Sequence, residues 1–447
     1  MEKGLQISVS GVRGRYPDFL TSSVAKRFGL AFGSYVRSNR VFICRDTRIS
    51  GESLKNAIAT GLLCAGKDVA DIGIAATPEL GYVLEKIEKS PGVVVTASHN
   101  PGEYNGIKFL TEAGVFLNSA QSSELLGIYN NKSFHVAQDP GCFSSRGYTE
   151  KYFEAIYGVI DASAVRRRKF RVVVDACQGV GAFMSEPFLQ GLGCEVEVIN
   201  REPAGVFSHN PEPLPENLLQ LSAAVLKNNA DIGFAQDPDG DRLAVVCENG
   251  SIPGEEMTVV LCIVNILENY GKGPVVVNLS TTSLVEEVAK KLGVAVYRTR
   301  IGEINVVERM KECGAVIGGE GNGGVICPNL HYGRDSFVGM AVILDYLVKR
   351  GKKLSEITGA LPKFHMLKEK LVVDGDKKDF LLDRLMKEYG AKEEVNIEDG
   401  IKIIRRGGWV HVRPSGTEPV LRIYAEAGDI KTAEEYLAEF TAYFSSD

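Results

Sequence analysis

The feature that most constrains this chain is a buried strand that stops abruptly in a polar loop. Val93–Val95 are consecutive β-branched residues without polar alternation, which predicts a strand covered on both faces. Ser98 and His99 follow within four positions, and Lys108 lies in the next short apolar run. Ligands bind at the carboxyl ends of strands in open α/β sheets, so this loop is a candidate site. The alternative is a polar surface loop in which Ser98 caps the next turn.

The order of strand, polar loop and helix recurs along the chain. A βα rhythm of this kind predicts mostly parallel sheets. From about residue 366 short strands are joined tightly and flanked by helices, which predicts a small α+β domain. We therefore predict an α/β protein of four domains, in which three similar units with mostly parallel mixed sheets precede one dissimilar unit. The expected domain limits are 1–145, 146–252, 253–365 and 366–447.

An acidic loop follows another buried strand. Asp237, Asp239 and Asp241 lie at alternate positions on a tight turn between two predicted strands. Three carboxylates at this spacing can converge on one point, where a hard divalent cation such as Mg²⁺ would relieve their repulsion. An EF-hand is disfavoured because its sixth position needs glycine and here holds Arg242. The remaining alternative is a solvated acidic turn.

Three further loops carry candidate ligand-binding groups. Glycines flank Arg13 near the N-terminus and would let the backbone approach a ligand closely. A glycine-rich loop is predicted at 318–324, after a strand at 314–317, with Glu320 and Asn322 available to sugar hydroxyls. In the last unit, a polar turn could hold a phosphate through the following groups: the fork of Arg413, and the hydroxyls and backbone N–H groups of Ser415, Gly416 and Thr417.

Composition narrows the class of partner. The formal net charge of −6 argues against nucleic acid or an anionic membrane, and leaves room for a small anionic ligand in a local basic pocket. Nine scattered cysteines without a C-x-x-C motif predict reduced thiols. The N-terminus lacks the apolar segment of a signal peptide, and no run is long enough to span a membrane. We expect a cytoplasmic protein, either a monomer or a homodimer.

Taken in order, these loops resemble those of the α-D-phosphohexomutase superfamily, over the whole chain. The matching motifs are Thr96–Pro101, Asp237–Arg242, the loop around Glu320, and Arg413–Pro419. The resemblance implies a heart-shaped, four-domain isomerase with one loop from each domain in a central cleft. Its expected reaction interconverts hexose 6-phosphate and hexose 1-phosphate through a phosphoserine and a hexose 1,6-bisphosphate intermediate, with Mg²⁺ as the metal.

The resemblance also implies a role for each matching residue. Ser98 corresponds to the phosphoserine and to a metal ligand beside the three aspartates. The residues implied in catalysis are Arg13, Ser98, His99, Lys108 and Arg242, with Lys108 as a general acid and base. Those implied in substrate binding are Glu320, Asn322, Arg413, Ser415, Gly416 and Thr417. The four domains would then carry the phosphoserine, metal-binding, sugar-binding and phosphate-binding loops in that order.

One departure concerns the glycine-rich loop. Many members carry Ser-Gly-His after the glutamate, whereas this chain has Gly324 at the histidine position, a form similar to an archaeal-type branch. His331 is a candidate substitute. That branch favours phosphoglucosamine mutase, with phosphomannomutase or phosphoglucomutase as the alternative. Two alternative functions belong to other classes: a non-catalytic protein that binds sugar phosphates, and a magnesium-dependent phosphatase.

Overall fold

Four β-sheets follow one another along the chain. The computed structural model describes residues 4–8, 11–202, 206–373, 378–415 and 420–445. The first sheet has seven strands, the next two have four strands each, and the last has five. Since the sheets occur in sequence order, each unit is built from a continuous stretch of chain.

The first unit pairs parallel strands with an antiparallel edge, in the order β1-β2-β6-β5-β3-β4-β7. Its elements are β1 (Gln6–Ser8), β2 (Gly11–Arg15), α1 (Ser22–Tyr35), β3 (Arg40–Arg45), α2 (Gly51–Cys64), β4 (Asp68–Ile74), α3 (Thr77–Tyr82) with a following π-helical turn (Val83–Glu88), β5 (Gly92–Val95), β6 (Tyr104–Leu110), α4 (Ser119–Asn131) and β7 (Phe143–Ser145).

The second and third units are smaller versions of the same design, with strand orders β11-β10-β8-β9 and β13-β12-β14-β15. The second contains α5 (Thr149–Tyr157), α6 (Ala162–Arg168), β8 (Arg171–Asp175), α7 (Gly181–Gly191), β9 (Glu195–Ile199), α8 (Leu219–Lys227), β10 (Ile232–Gln236) and β11 (Leu243–Cys247). The third contains α9 (Glu256–Asn269), β12 (Val275–Asn278), α10 (Leu284–Leu292), β13 (Val296–Thr299), α11 (Glu303–Cys313), β14 (Ile317–Glu320), β15 (Gly324–Ile326), α12 (Ser336–Arg350) and α13 (Leu354–Gly359).

The last unit has an entirely antiparallel sheet in the order β16-β20-β19-β18-β17. Its elements are β16 (His365–Val372), α14 (Lys378–Tyr389), β17 (Glu394–Asn396), β18 (Ile401–Arg405), β19 (Gly408–Pro414), β20 (Val420–Ala427) and α15 (Ile430–Ser445). The predicted fold class, three similar α/β units and a C-terminal α+β unit, is therefore confirmed.

Each of the first three units contains the same hairpin. A fully buried strand pairs in parallel with one neighbour and returns through a short loop as an antiparallel strand: β5 to β6, β10 to β11, and β14 to β15. The β-branched residues of β5 and β10 suit such positions, which are covered on both faces. Each of the three predicted polar loops joins the two strands of one hairpin. The loops therefore lie at equivalent positions in the three units.

The hydrophobic core is shared unevenly among the units. One cluster runs through the second and third units, from Tyr152 past Phe188 and Phe337. The last unit has its own cluster around Ile423 and Phe440. Described hydrogen bonds join this last unit to the third. They include Lys402 Nζ to the Leu279 carbonyl at 2.6 Å, Trp409 Nε1 to Ser283 Oγ at 3.0 Å, and Ser280 Oγ with His411 Nδ1 at 2.9 Å.

Three predicted elements were placed wrongly. The glycine-rich segment 318–324 is not one loop, because its first three residues complete β14 and Gly324 begins β15. A side chain at Gly318 would lie 2.5 Å from the Val276 carbonyl oxygen, so these glycines serve close strand packing. The strand predicted at 314–317 accordingly begins only at Ile317. Arg13 lies in β2, paired with β6, and not in a glycine loop.

Glu79 provides a pH test of the contact between the first two units. Its carboxyl is 1% exposed and accepts a 2.9 Å hydrogen bond from the Thr149 hydroxyl, while Oε2 has no partner among the described residues. Burial raises the pKa of Glu79 to about 7. The folded state thus holds this proton more tightly than the unfolded state, and the wild-type protein loses stability as pH rises through that value.

We expect Glu79→Gln to remove this dependence. The variant should match the wild-type free energy of unfolding near pH 4, and exceed it near pH 8 by up to about 3 kcal/mol. Urea unfolding at a series of pH values measures the difference. Glu150→Gln, at an exposed position of the same contact, is the control. A Glu79→Gln difference that stays constant with pH would contradict the assignment.

Candidate active site

The serine loop begins where β5 ends. Ser98 is 1% exposed and adopts a left-handed backbone conformation, with φ of 51°. Its N–H donates to Thr96 Oγ1 at 2.9 Å. A serine with positive φ costs about 1 kcal/mol or more, so the surrounding structure must hold it there.

Arg48 supplies that support. Its guanidinium is buried between the serine loop and the end of β3, and its Nε donates to Asp46 Oδ2 at 3.0 Å. Its remaining N–H groups satisfy four loop carbonyls, those of Ser98 (2.6 Å), Asn100 (2.6 Å), Pro101 (2.7 Å) and Tyr104 (2.8 Å). The loop therefore takes its shape from one side chain that lies fifty positions away in the sequence.

Arg48→Met is expected to destabilise the protein by about 3–5 kcal/mol, because it leaves Asp46 and four carbonyls without their buried partner. Urea unfolding measures the loss, and amide exchange at residues 98–104 should speed up first. Arg45→Met is the control, since Arg45 pairs with the half-exposed Glu52 and should cost no more than about 1 kcal/mol. Equal losses in the two variants would argue against a special role for Arg48.

The acidic loop is folded back on itself by Asp237. Its Oδ1 accepts the backbone N–H groups of Asp241 and Arg242, both at 3.0 Å. Gly240 turns the chain with φ of +71°. One carboxylate oxygen from each of the three aspartates lies within 4.8 Å of the others, and all three residues are fully buried.

The structure brings the serine and the acidic loop together across two units. Ser98 Oγ donates to Asp237 Oδ2 at 2.7 Å. Lys108 joins the same cluster from β6, with Nζ 2.6 Å from Asp239 Oδ2 and 3.3 Å from Asp241 Oδ2. The nucleophilic hydroxyl, the amine and the three carboxylates thus form one buried group.

The carboxylates retain free oxygens. Asp239 Oδ1 and Asp241 Oδ1 are buried without a hydrogen-bond partner among the described residues. Burial and the two neighbouring carboxylates raise the pKa of Asp237 well above its usual value. Burial also opposes ionisation of Asp241, but Arg334 and Lys108 outweigh it and lower that pKa. Unpaired oxygens in a buried anionic cluster fit a hard divalent cation such as Mg²⁺.

Three further predicted residues, His99, Arg13 and Arg242, lie close enough for the two arginine charges to act on the histidine. His99 Nδ1 lies 3.3 Å from Ser98 Oγ, and burial, followed by the charges of Arg242 and Arg13, lowers its pKa well below the usual value. Arg13 Nη1 donates to Asn100 Oδ1 at 2.8 Å. Arg242 Nη1 lies 3.3 Å from Glu212 Oε1. The imidazole beside the Ser98 hydroxyl is therefore neutral, and the positive charges of Arg242 and Arg13 act on it.

Glu320 ends β14 with its carboxylate held from three sides. It accepts from Asn278 Nδ2 at 2.8 Å, from the Gly302 N–H at 3.0 Å and from Arg334 Nη1 at 2.8 Å. Burial would raise its pKa, but Arg334 and these hydrogen bonds lower it, so Glu320 is ionised. Asn322 Oδ1 accepts from the Gly324 N–H at 3.2 Å and shapes the turn.

Gly324 is packed against Arg334. A Cβ atom at position 324 would lie 2.2 Å from Arg334 Cδ, so the arginine stem fills the space that any side chain there would need. His331, the candidate substitute, is 1% exposed and bonds Asp335 Oδ2 through Nε2 at 3.0 Å. Its ring faces Gly81 of the first unit, where an added Cβ atom would lie 3.5 Å from His331 Nδ1. This position does not favour a direct part in proton transfer.

The expected phosphate clamp is described only in part. Arg413 Nε lies 3.4 Å from Asp399 Oδ1, and no hydrogen bond among the described residues joins it to the other three loops. Ser415 is buried and its N–H donates to the Val420 carbonyl at 2.9 Å. Gly416 and Thr417 lie outside the described residues.

Three α/β repeats that each present a polar hairpin loop, followed by an antiparallel C-terminal unit, define the phosphohexomutase class of protein. Family models described as phosphoglucomutase/phosphomannomutase alpha/beta/alpha domains I, II and III match residues 5–136, 150–250 and 254–364, and that of the C-terminal domain matches 348–442. The chain belongs to the phosphoglucomutase/phosphomannomutase family.

Similar proteins span the full length. A phosphoglucomutase/phosphomannomutase of Thermococcus kodakarensis is 39% identical over 96% of this chain and 95% of its own. A probable phosphoglucosamine mutase of Methanopyrus kandleri is 35% identical over 98% and 97%. A solved structure of a family protein from Burkholderia thailandensis superposes with a TM-score of 0.87 at 28% identity, over 99% of this chain and 97% of that one. In the described part of the chain, no helix combines the length and apolarity needed to cross a membrane.

Proposed function

We propose that this protein interconverts hexose 6-phosphate and hexose 1-phosphate, with a phosphorylated Ser98 and a hexose 1,6-bisphosphate intermediate, and that glucosamine phosphate is its preferred substrate. The observation that carries the proposal is the 2.7 Å contact between Ser98 Oγ and Asp237 Oδ2. It places a buried hydroxyl against a cation-binding cluster, the arrangement that phosphoryl transfer to and from serine requires. The name of the relative from Methanopyrus kandleri, a probable phosphoglucosamine mutase, favours the glucosamine substrate.

Asp237, Asp239 and Asp241 would hold Mg²⁺, together with the hydroxyl or phosphate of Ser98. When bound, the ion neutralises charge on the transferring phosphoryl group. The buried oxygens without partners support this assignment.

Lys108 would transfer protons, and Arg13 and Arg242 would supply positive charge. The bond between Ser98 Oγ and phosphorus breaks as a free hydroxyl of the hexose phosphate bonds to that phosphorus. Ser98 Oγ takes a proton from Lys108, and the proton lost by the hydroxyl replaces it. The other phosphoryl group of the bisphosphate then returns to Ser98 by the reverse route. Burial alone would lower the pKa of Lys108, but Asp239 and Asp241 raise it, so Nζ carries a proton that can be given to the serine oxygen. Arg13 and Arg242 lie beside the loop and supply fixed positive charge.

The sugar and its distal phosphate would be held by the third and fourth units. Glu320, already fixed from three sides, can accept hydrogen bonds from sugar hydroxyls. Arg413 and Ser415, with Gly416 and Thr417, would hold the phosphate that does not react. The sheets support domain limits close to residues 145, 252 and 365.

Two measurements test the proposal. Purified protein should contain a fraction that is heavier by one phosphoryl group at Ser98, and coupled assays with glucosamine, mannose and glucose phosphates should give isomer exchange, highest with glucosamine. Release of free phosphate without exchange would instead indicate a phosphatase. Absence of both phosphate and exchange after bisphosphate priming would leave a binding protein.

A further inference from the structure

We propose that Arg334 is a positioning residue that joins the metal-binding loop to the sugar-binding loop, so that one side chain fixes both Asp241 and Glu320. The inference rests on the proposed function and extends it to a residue that lies in neither loop. Arg334 follows β15 and precedes α12, and its guanidinium reaches across the contact between the second and third units.

All three nitrogens of Arg334 are used. Nη2 donates to Asp241 Oδ2 at 2.7 Å, Nη1 to Glu320 Oε2 at 2.8 Å, and Nε to Glu303 Oε2 at 2.9 Å. The residue is 9% exposed. A planar fork can satisfy three carboxylates at once, which the compact ammonium of lysine cannot do in the same directions.

The backbone beside Arg334 is tied to the metal-binding loop as well. Position 334 pairs with Ile326 in an isolated antiparallel bridge. The Asp335 side chain caps α12 by accepting the N–H groups of Phe337 and Val338. The Ser336 N–H and hydroxyl both donate to the Gly240 carbonyl, at 3.1 and 2.6 Å. The arginine is thus anchored to the loop that carries Asp241.

Gly324 is the partner that makes room for this arginine. Its backbone does not adopt the left-handed conformation, so glycine is required there by the space and not by the dihedral angles. A methyl group at position 324 would overlap Arg334 Cδ. Arg334 and Gly324 are therefore expected to depend on each other.

The positive charge of Arg334 predicts opposite effects on Mg²⁺ binding and on hexose phosphate binding. Arg334 occupies Asp241 Oδ2 and places a positive charge beside the cation site, which opposes cation binding, while it holds Glu320 ready for the sugar. Arg334→Met should therefore bind Mg²⁺ more tightly, by about threefold or more, and bind hexose phosphate more weakly, with KM raised about tenfold. Arg334→Lys keeps the charge, so its Mg²⁺ affinity should change by less than about twofold while KM still rises. A role limited to folding would weaken both kinds of binding together.

The experiment measures Mg²⁺ binding by calorimetry without sugar, KM and kcat for hexose phosphate, and thermal unfolding, for the wild type, the two Arg334 variants and Arg405→Ala. Arg405 is a similarly covered arginine that pairs with Glu439 in the last unit, and its loss should alter unfolding alone. A double-mutant cycle with Arg334→Ala completes the test, because alanine lacks the Cγ and Cδ atoms that a methyl group at position 324 would meet. Gly324→Ala should raise KM in the presence of Arg334 and have little effect in Arg334→Ala.

Parallel weakening of Mg²⁺ and hexose phosphate binding, or no change in either, would overturn the inference and leave the mutase assignment intact. Additive effects of the Gly324 and Arg334 changes would overturn it as well. If the wild type showed no isomer exchange, the proposed function would fail. The Mg²⁺ affinities and the unfolding temperatures of the cycle would then still decide whether Arg334 fixes the metal-binding loop.

Discussion

Ser98→Ala is expected to abolish isomer exchange, with a loss of at least about 10⁴-fold. Its Oγ is the hydroxyl that contacts Asp237, so the alanine variant has no oxygen on which the phosphoenzyme can form. The coupled assay measures the loss, and intact mass should show that the variant no longer carries a phosphoryl group. The fold should survive, because Arg48 holds the loop through backbone carbonyls that alanine keeps.

Ser53→Ala is the matched control, since it removes an exposed hydroxyl of the same unit. It should retain wild-type activity and phosphorylation. Substantial exchange by Ser98→Ala, or a phosphoryl group found on another residue, would contradict the assignment of the nucleophile.

Asp237→Asn is expected to separate stability from activity. The amide keeps the Oδ1 hydrogen bonds to the N–H groups of Asp241 and Arg242, but removes one of three crowded negative charges. We expect activity to fall by about 10³-fold, because the cation loses a ligand. In the presence of a chelator the variant should be more stable than the wild type, by about 1–2 kcal/mol near pH 8.

The pH dependence of this difference has a definite sign. The pKa of Asp237 is raised in the folded state, so the metal-free wild type loses stability as the pH rises and this carboxyl ionises. The asparagine variant has no such group and does not lose stability in this way. Urea unfolding at pH 5 and pH 8, with and without Mg²⁺, measures it. Asp139→Asn, an exposed change, is the control. A variant that is less stable than the wild type without metal would show that the three charges are relieved in another way.

The strands that carry the chemistry could be predicted because their signal is local. β5 and β10 are continuous apolar runs that end in polar turns, and each aspartate of the acidic loop falls at a regular spacing. The predicted strand at 314–317 begins three residues before β14, because glycine in a strand has the same local signature as glycine in a turn. Helices α4 and α11 were not predicted, since their sequences carry weak or polar patterns.

The residues that support the site could not be predicted for a different reason. Arg48 looks like a solvated charge in a polar run, yet the four carbonyls that it binds lie 50 or more positions away. Arg334 bonds Asp241 across 93 positions and Glu320 across 14. A buried arginine differs from a surface arginine only through its partners, and local sequence does not contain them. The sequence shows glycine at position 324 where many members have histidine. The structural reason, the packing of Arg334 against Gly324, is visible only in the structure.

The distribution of the hydrophobic core among the four units determines which units could be exchanged with those of a relative. The second and third units meet through one continuous apolar cluster, so neither could be exchanged for that of a relative without repacking the other. The last unit encloses its own apolar cluster, and hydrogen bonds join it to the third unit. It is therefore the unit best suited to exchange in chimaeric enzymes, which would separate the proposed binding of the distal phosphate from the proposed phosphoryl transfer.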